Sequence, residues 1–169
     1  TRDDYSQNIP SWSHDGRWIY FASDHGMGLQ AWRIGADGAH EQQLTHDGSQ
    51  AYARESANGQ DLLYQSGRGD SALLALPLAG GTARQLVACV KWSRFAVTGS
   101  RVYYVPCTAD ASNPEVRVLD TGSKTDVVFA RIDRLPNTHG LAVSPDGNTV
   151  YFTRRSRESA DLMLIEGFK

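Results

Sequence analysis

A short segment recurs four times along the chain, and no other feature of the sequence constrains the fold as strongly. In each copy a turn containing glycine precedes a short run of aliphatic and aromatic residues. The four glycines are Gly16, Gly59, Gly99 and Gly147, which are separated by 43, 40 and 48 residues. Repeats of about 40–45 residues with this composition are typical of β-propeller blades, each of four antiparallel strands. The sequence therefore predicts an all-β protein with four blades.

Each copy also predicts the order of strands within a blade. A short first strand is followed by a two-residue turn, Asp-Gly or Asn-Gly in three of the four copies, and such dipeptides tolerate the positive φ of a tight hairpin. The last strand of the second blade, 83–87, and the first strand of the third, 94–98, are predicted as separate strands. The predicted blades lie at approximately 6–49, 50–90, 91–135 and 136–169.

Composition argues against two classes of partner. The chain has 17 basic and 19 acidic residues and a net charge of −2, whereas a surface that binds nucleic acid is usually basic. No apolar run approaches the roughly 20 residues of a transmembrane helix. We therefore expect no direct binding of nucleic acid and no association with a membrane.

The repeat carries a resemblance to a known family. Ile9–Ser23 resembles the repeat of TolB-type β-propellers, with His14 where proline is usual, and Val143–Gly147 restores that proline. The order of variant blades, ending in 160–169, is similar to the C-terminal propeller of large bacterial, especially acidobacterial, proteins. In those proteins a winged-helix DNA-binding domain or a Ser/Thr kinase domain precedes the propeller. The resemblance implies a binding or sensing module of a larger bacterial regulatory protein.

Four blades are few for this repeat, and we expect the chain to be the C-terminal part of a larger propeller. Thr1 aligns with Thr45, the end of a fourth strand, and Lys169 follows a third strand. Unpaired strand edges invite pairing with a second copy. We therefore expect self-association through open blade edges, in which residues 1–5 complete the last blade of a partner. Closure of a four-bladed ring by the same residues is the alternative.

The sequence lacks the patterns of common catalytic and metal sites. It contains no Gly-x-Ser-x-Gly nucleophile elbow. Its five histidines show no metal-ligand spacing such as His-x-x-x-His, and its Asp-Gly turns lack the ligand density of a calcium loop. We predict that the chain is not an enzyme and binds no metal and no cofactor.

First strands line the central channel of a propeller, so their polar residues are the candidates for contact with a ligand or partner. These candidates are Arg54, Glu55, Arg94 and His139. Glu55 aligns with Trp12, an apolar residue that we expect to pack between blades. A single glutamate with basic neighbours favours an ion-paired channel wall over the paired carboxylates of a glycosidase. Contact with a ligand is the other interpretation.

Cys89 and Cys107 flank the first hairpin of the third blade. Two cysteines suffice for one disulfide, and the sequence leaves open whether they pair. A bond would favour an oxidising compartment, the periplasm or the outside of the cell, whereas free thiols are compatible with any compartment.

Three classes of function are compatible with these features. The first is a non-catalytic propeller that recognises a protein or a small molecule through its loops and channel. The second is the accessory propeller of a peptidase or another hydrolase whose catalytic domain is missing from this chain. The third is a structural module that assembles through its open edges.

Overall fold

The computed structural model describes residues 5–26, 28–47, 52–67, 69–109, 113–132, 140–155 and 160–165. Within these residues the chain forms antiparallel β-strands and no helix, as the sequence predicts. No helix that could cross a membrane is found in this part of the chain. The chain divides into two compact units, residues 1–88 and 89–169.

The first unit contains a four-stranded sheet in the order β1-β2-β3-β4, followed by the strands of a second blade. The strands of the first blade are β1 (Gln7–Trp12), β2 (Trp18–Ser23), β3 (Gln30–Gly35) and β4 (Gln42–Gln43). Those of the second are β5 (Ala53–Glu55), β6 (Asp61–Gln65), β7 (Ser71–Pro77) and the start of β8 (Arg84–Thr98).

The second unit contains the rest of β8 and two further groups of strands. The third blade continues through β9 (Arg101–Pro106), β10 (Glu115–Asp120) and β11 (Asp126–Arg131). The fourth is a three-stranded sheet of β12 (Leu141–Val143), β13 (Val150–Arg155) and β14 (Ala160–Ile165).

Strand β8 corrects one prediction. The sequence predicts two separate strands, 83–87 and 94–98, but the structure forms one strand from Arg84 to Thr98. Its register against β9 shifts between Val90 and Phe95, and Ser93 within that interval has a φ of 56°. A bulge of this kind bends a strand without ending it, so one strand passes from the second blade to the third without a loop.

The hairpin turns correct another prediction. The backbone N–H of Ser13 donates to the carbonyl of Trp18 at 2.8 Å, so four residues rather than two form this turn. The Ser13 hydroxyl donates to Asp15 Oδ1 at 2.7 Å and accepts from the Trp18 N–H at 2.8 Å. Ser56 and Ser144 make the same two contacts in the second and fourth blades. Because the serine hydroxyl supplies both an acceptor and a donor, the longer turn is closed by side chains.

In the first unit the hydrophobic core joins the two blades through their second strands. Tyr20 and Ala22 of β2 are buried in one cluster with Leu62 and Tyr64 of β6. Alternate side chains of a strand share a face, and each strand therefore presents two residues to this cluster. We call the contact between the sheet β1–β4 and the strands β5–β7 the first seam.

The second unit repeats this arrangement. Tyr103 and Val105 of β9 are buried in one cluster with Val150 and Phe152 of β13. We call the contact between the strands β9–β11 and the sheet β12–β14 the second seam. The two seams are thus built from corresponding strands of their blades.

A disulfide joins Cys89 of β8 to Cys107, which directly follows β9. The two Cα atoms are 5.5 Å apart, and the backbone N–H of Cys107 donates to the carbonyl of Cys89 at 3.3 Å. The hairpin therefore places the cysteines opposite each other. The pairing that the sequence left open is present in the second unit.

Candidate functional site

A polar pocket of about 310 Å³ opens at one end of the first seam. Its lining comes from the turn between β1 and β2, from the turn between β5 and β6, and from residues of β2, β3 and β5. Its polar lining includes His14, Tyr20, Arg33, Glu55 and Asn58. The pocket is therefore built where two blades meet, on strands that the hydrophobic core holds in place.

Tyr20 and Glu55 form the centre of the pocket. The Tyr20 hydroxyl donates to Glu55 Oε1 at 2.9 Å, and the backbone N–H of His14 donates to Glu55 Oε2. Only 1% of Tyr20 is exposed. Burial, followed by the hydrogen bond to Glu55, raises the pKa of the Tyr20 phenol well above its usual 10. Tyr20 therefore remains a donor, and each oxygen of Glu55 accepts one hydrogen bond from the protein.

Arg33 lies beside this pair because β2 and β3 are in register. Arg33 is the direct partner of Tyr20 on one side and of Gln42 on the other. Its Nε and Nη2 donate to Gln42 Oε1 at 3.1 and 2.7 Å, and its guanidinium carbon lies 4.3 Å from the Trp18 ring centroid. The guanidinium is thus held by a neutral amide and an aromatic face. A row of polar side chains runs from Gln42 through Arg33 and Tyr20 to Glu55.

The rim of the pocket is more exposed. Arg17 Nε lies 2.6 Å from Asp15 Oδ2, and the backbone N–H of Arg17 donates to Asp15 Oδ1 at 3.0 Å. That backbone hydrogen bond and the Ser13 hydroxyl are the main causes that lower the Asp15 pKa to about 2. Asp15 is therefore engaged in shaping the turn, and Arg17 is balanced by its charge.

The structure separates Arg54 from Glu55, although the two residues are neighbours in β5. Arg54 lies 4.5 Å from the Tyr52 ring centroid, and its Nη2 donates to the Tyr52 hydroxyl at 3.2 Å. Glu55 instead contacts Tyr20 and His14. Adjacent side chains of a strand point to opposite faces. The predicted ion pairing of Glu55 with its basic neighbours is therefore wrong, and a hydroxyl and a backbone amide take their place.

The other two predicted residues are not part of this pocket. Arg94 belongs to the second unit, where it lies in the bulge of β8 and is 5% exposed. His139 lies outside the residues that the structure describes, as do residues 1–4, on which the predicted strand exchange depends. Of the predicted candidates, the pocket contains Glu55.

Sequence reasoning missed Arg33, Tyr20 and His14. A signal was present for Arg33, because this charged residue interrupts the apolar third strand of the first blade. Tyr20 was predicted only as a strand residue, since its hydroxyl partner comes from the next blade. His14 contributes its backbone N–H, and side-chain chemistry gives no signal for such a contact. Within the described residues, no group of three or more acidic, histidine or cysteine side chains is arranged to hold a metal ion.

Solved structures share this fold. TolB from Acinetobacter baumannii superposes with a TM-score of 0.76 and 19% identity, covering 94% of this chain and 40% of its own. An oligogalacturonate lyase from Vibrio parahaemolyticus gives a TM-score of 0.69 and 14% identity, covering 92% of this chain and 48% of its own. Puromycin hydrolase superposes with a TM-score of 0.63 and 22% identity, covering 93% of this chain and 26% of its own.

These likenesses identify the fold as that of TolB-like β-propeller blades. The chain spans less than half the length of each of the three proteins. No protein-family model and no curated protein sequence matches the chain. The predicted resemblance to TolB-type propellers is therefore confirmed at the level of the fold.

Proposed function

We propose that this chain is a non-catalytic recognition module whose first-seam pocket binds a small molecule. The observation that carries the proposal is the row Arg33–Tyr20–Glu55, in which a cation, a hydroxyl and a carboxylate are fixed beside a pocket of about 310 Å³. A few fixed polar groups in a concave site on a rigid frame are typical of small-molecule sites.

The hydrogen bonds of the central pair favour binding over turnover. A general base needs a pKa near the working pH, and a nucleophile needs an adjacent base. Burial raises the pKa of the Tyr20 phenol still further above neutral pH, so this group is not poised to act as a base. Glu55 accepts hydrogen bonds on both oxygens from groups of the protein. The pair is thus suited to hold a ligand in one orientation.

The proposed setting is a larger bacterial regulatory protein. Its support is the resemblance of the blade order to propellers that follow a winged-helix or a Ser/Thr kinase domain. Loops and pockets on a rigid scaffold commonly carry recognition. Binding in the first seam would then be the input to such an output domain. Association of two copies through open blade edges stays a separate proposal.

A second candidate is the accessory propeller of a hydrolase. Its support is the likeness to puromycin hydrolase, which covers 93% of this chain but 26% of that enzyme. The gene sequence on either side of this chain separates the candidates. A regulatory domain supports the first, and a hydrolase domain supports the second.

Two experiments in sequence test the binding function. A thermal-shift screen of small metabolites first identifies compounds that stabilise the chain, and calorimetric titration then measures their affinity. We expect at least one compound to bind the wild-type chain and to lose affinity in Glu55→Val, which gives this position an apolar side chain. Glu41→Val is the matched control, because Glu41 is an exposed glutamate of the same unit. Hits that bind both variants as tightly as wild type, or a screen without hits, would contradict the proposal.

A further inference from the structure

We propose that the ligand of the first-seam pocket is a small carboxylate that carries a neighbouring hydroxyl or amino donor. This inference rests on the proposed binding function and adds the chemical class of the ligand. Its two anchors are the Arg33 guanidinium for the carboxylate and the Glu55 carboxylate for the donor.

Arg33 differs from Arg84 and Arg117 in the charge of its partner. Arg84 forms two hydrogen bonds with the Asp61 carboxylate, at 2.8 and 2.6 Å. Arg117 contacts Asp126 and Glu115, each at 3.1 Å. These contacts balance the charge of both arginines. Arg33 donates instead to the neutral amide of Gln42.

The Arg33 head group is also fixed before a ligand arrives. Gln42 accepts from two of its nitrogens, and the Trp18 ring packs against its plane. Holding the side chain in place removes part of the entropy cost of binding. A fixed guanidinium with a neutral partner keeps its charge for an incoming anion, and carboxylates match the geometry of its N–H groups.

Glu55 supplies the second anchor. Each of its oxygens accepts one hydrogen bond from the protein, while a carboxylate has about four acceptor positions. The remaining positions suit an ammonium or hydroxyl group. Tyr20 lies between the anchors, paired with Arg33 across the strands and hydrogen bonded to Glu55. Such a ligand would place its carboxylate at Arg33 and its donor at Glu55, on either side of Tyr20.

The size and lining of the pocket favour a compact ligand over a nucleoside or a flat aromatic compound. Its volume of about 310 Å³ is at the lower end of the range for small-molecule sites. The guanidinium of Arg33 already packs on the ring of Trp18. Because Arg33 covers this face of the ring, a flat aromatic ligand cannot stack on it. Polar groups are therefore the main contacts that the pocket offers to a ligand.

A nitrogen-15 NMR titration of the intact chain tests this assignment with five probes. The probes are lactate, alanine, propionate, lactamide and inorganic phosphate. The backbone amide of His14 is the reporter, because it donates directly to Glu55. Lactate and alanine should shift this signal at the lowest concentrations. Propionate, which lacks the donor, and lactamide, which lacks the anion, should each bind at least tenfold more weakly.

Variants assign the two anchors. Arg33→Gln should weaken the binding of lactate and of alanine at least tenfold. Arg84 is an arginine of the same unit outside the pocket, and Arg84→Gln should leave both affinities unchanged. Glu55→Gln retains an acceptor for Tyr20 and should reduce alanine and lactate to the affinity of propionate, with propionate itself unchanged. Unaltered spectra away from the pocket show that each variant is folded.

Three results would overturn the inference. They are equal binding of lactamide and lactate, tighter binding of phosphate than of lactate, and wild-type affinity in Arg33→Gln. None of these three results removes the binding function, because each still places a ligand in the pocket. An unchanged His14 amide signal with all five probes would also reject this ligand class. Hits from the wider metabolite screen would then decide whether the pocket binds a different class of ligand.

Discussion

The two seams solve the same packing problem with different chemistry. Tyr20 and Tyr103 both stand four residues after a turn glycine, at 16 and 99, and each extends its hydroxyl to the next blade. In the first seam the acceptor is the Glu55 carboxylate, at 2.9 Å. In the second seam it is the backbone carbonyl of Gly147, also at 2.9 Å. One tyrosine therefore contacts a titratable side chain, and the other closes against the backbone.

A single position accounts for much of this difference. Glu55 pairs with Leu62, and Val143 pairs with Val150, so Glu55 and Val143 occupy the same place in their blades. The fold is built with valine at this position in the fourth blade. The glutamate of the second blade is therefore not a requirement of blade packing, which makes it a candidate for function.

The largest expected effect concerns the disulfide, which belongs to the second unit. Replacing both cysteines, in Cys89→Ala/Cys107→Ala, should lower the free energy of unfolding by about 3 kcal/mol, because the bond restricts the unfolded chain. Residue-resolved hydrogen exchange should show faster exchange at Val105 and Val116, while Ala22 and Leu62 of the first unit keep their protection. Equal losses in both units would contradict this division.

The next largest effect separates the two seams by their turn glycines. A Cβ on Gly147, at a φ of +74°, would lie 2.7 Å from the Tyr103 hydroxyl oxygen, whereas on Gly59, at +68°, it would lie 3.8 Å from Glu55 Oε1. Gly147→Ala should therefore lower the free energy of unfolding by about 2–3 kcal/mol, because of the left-handed backbone and the displaced tyrosine. Gly59→Ala should cost about 1–2 kcal/mol, from the backbone alone. Urea denaturation measures the stability of both variants. Equal midpoints would show that Tyr103 does not pack against Gly147 in the second seam.

A double-mutant cycle tests the polar contact of the first seam. Tyr20→Phe and Glu55→Val should each lower the free energy of unfolding by about 1–2 kcal/mol, because each leaves a polar partner without its hydrogen bond. The double variant should be about as stable as either single variant, since both partners are then apolar. Strictly additive losses would indicate that the two side chains do not interact.

The smallest effect is expected at alkaline pH. Burial, then hydrogen bonding to a carboxylate, raises the pKa of Tyr20 above 10 and that of Tyr104 to about 12. A folded-state pKa above the unfolded value contributes stability that is complete below pH 10 and is lost as pH rises towards the folded pKa. Tyr20→Phe and Tyr104→Phe should each make the decline between pH 10 and 11 shallower in urea denaturation. A decline as steep as that of wild type would contradict the assignment.

Much of the fold was predictable because blade structure is local. The glycine turns and the apolar strands repeat at regular intervals, so the strands of all four blades follow from the sequence. The length of the turns did not follow, since it depends on the Ser13 hydroxyl and its counterparts. The continuous β8 was missed because nothing in residues 88–93 signals the bulge at which the register against β9 shifts.

The site was less predictable because its contacts join different blades. The alignment of Glu55 with Trp12 correctly marked a polar residue at an apolar position, and the register confirms it, with Trp12 paired to Ile19. The same alignment predicted Trp12 to be packed, yet it is 61% exposed. Periodicity determines which face of a strand a residue occupies, but what covers that face depends on the neighbouring blade.

Crystallographic soaking with small polar fragments tests the difference between the two seams most directly. We expect fragments to bind beside Tyr20 and Glu55 in the first seam, and none to bind beside Tyr103 and Gly147 in the second. Soaks with Glu55→Val crystals should lower the occupancy of these fragments in the first seam. Fragments bound at the second seam, or a first seam that stays empty in the wild type, would contradict the account.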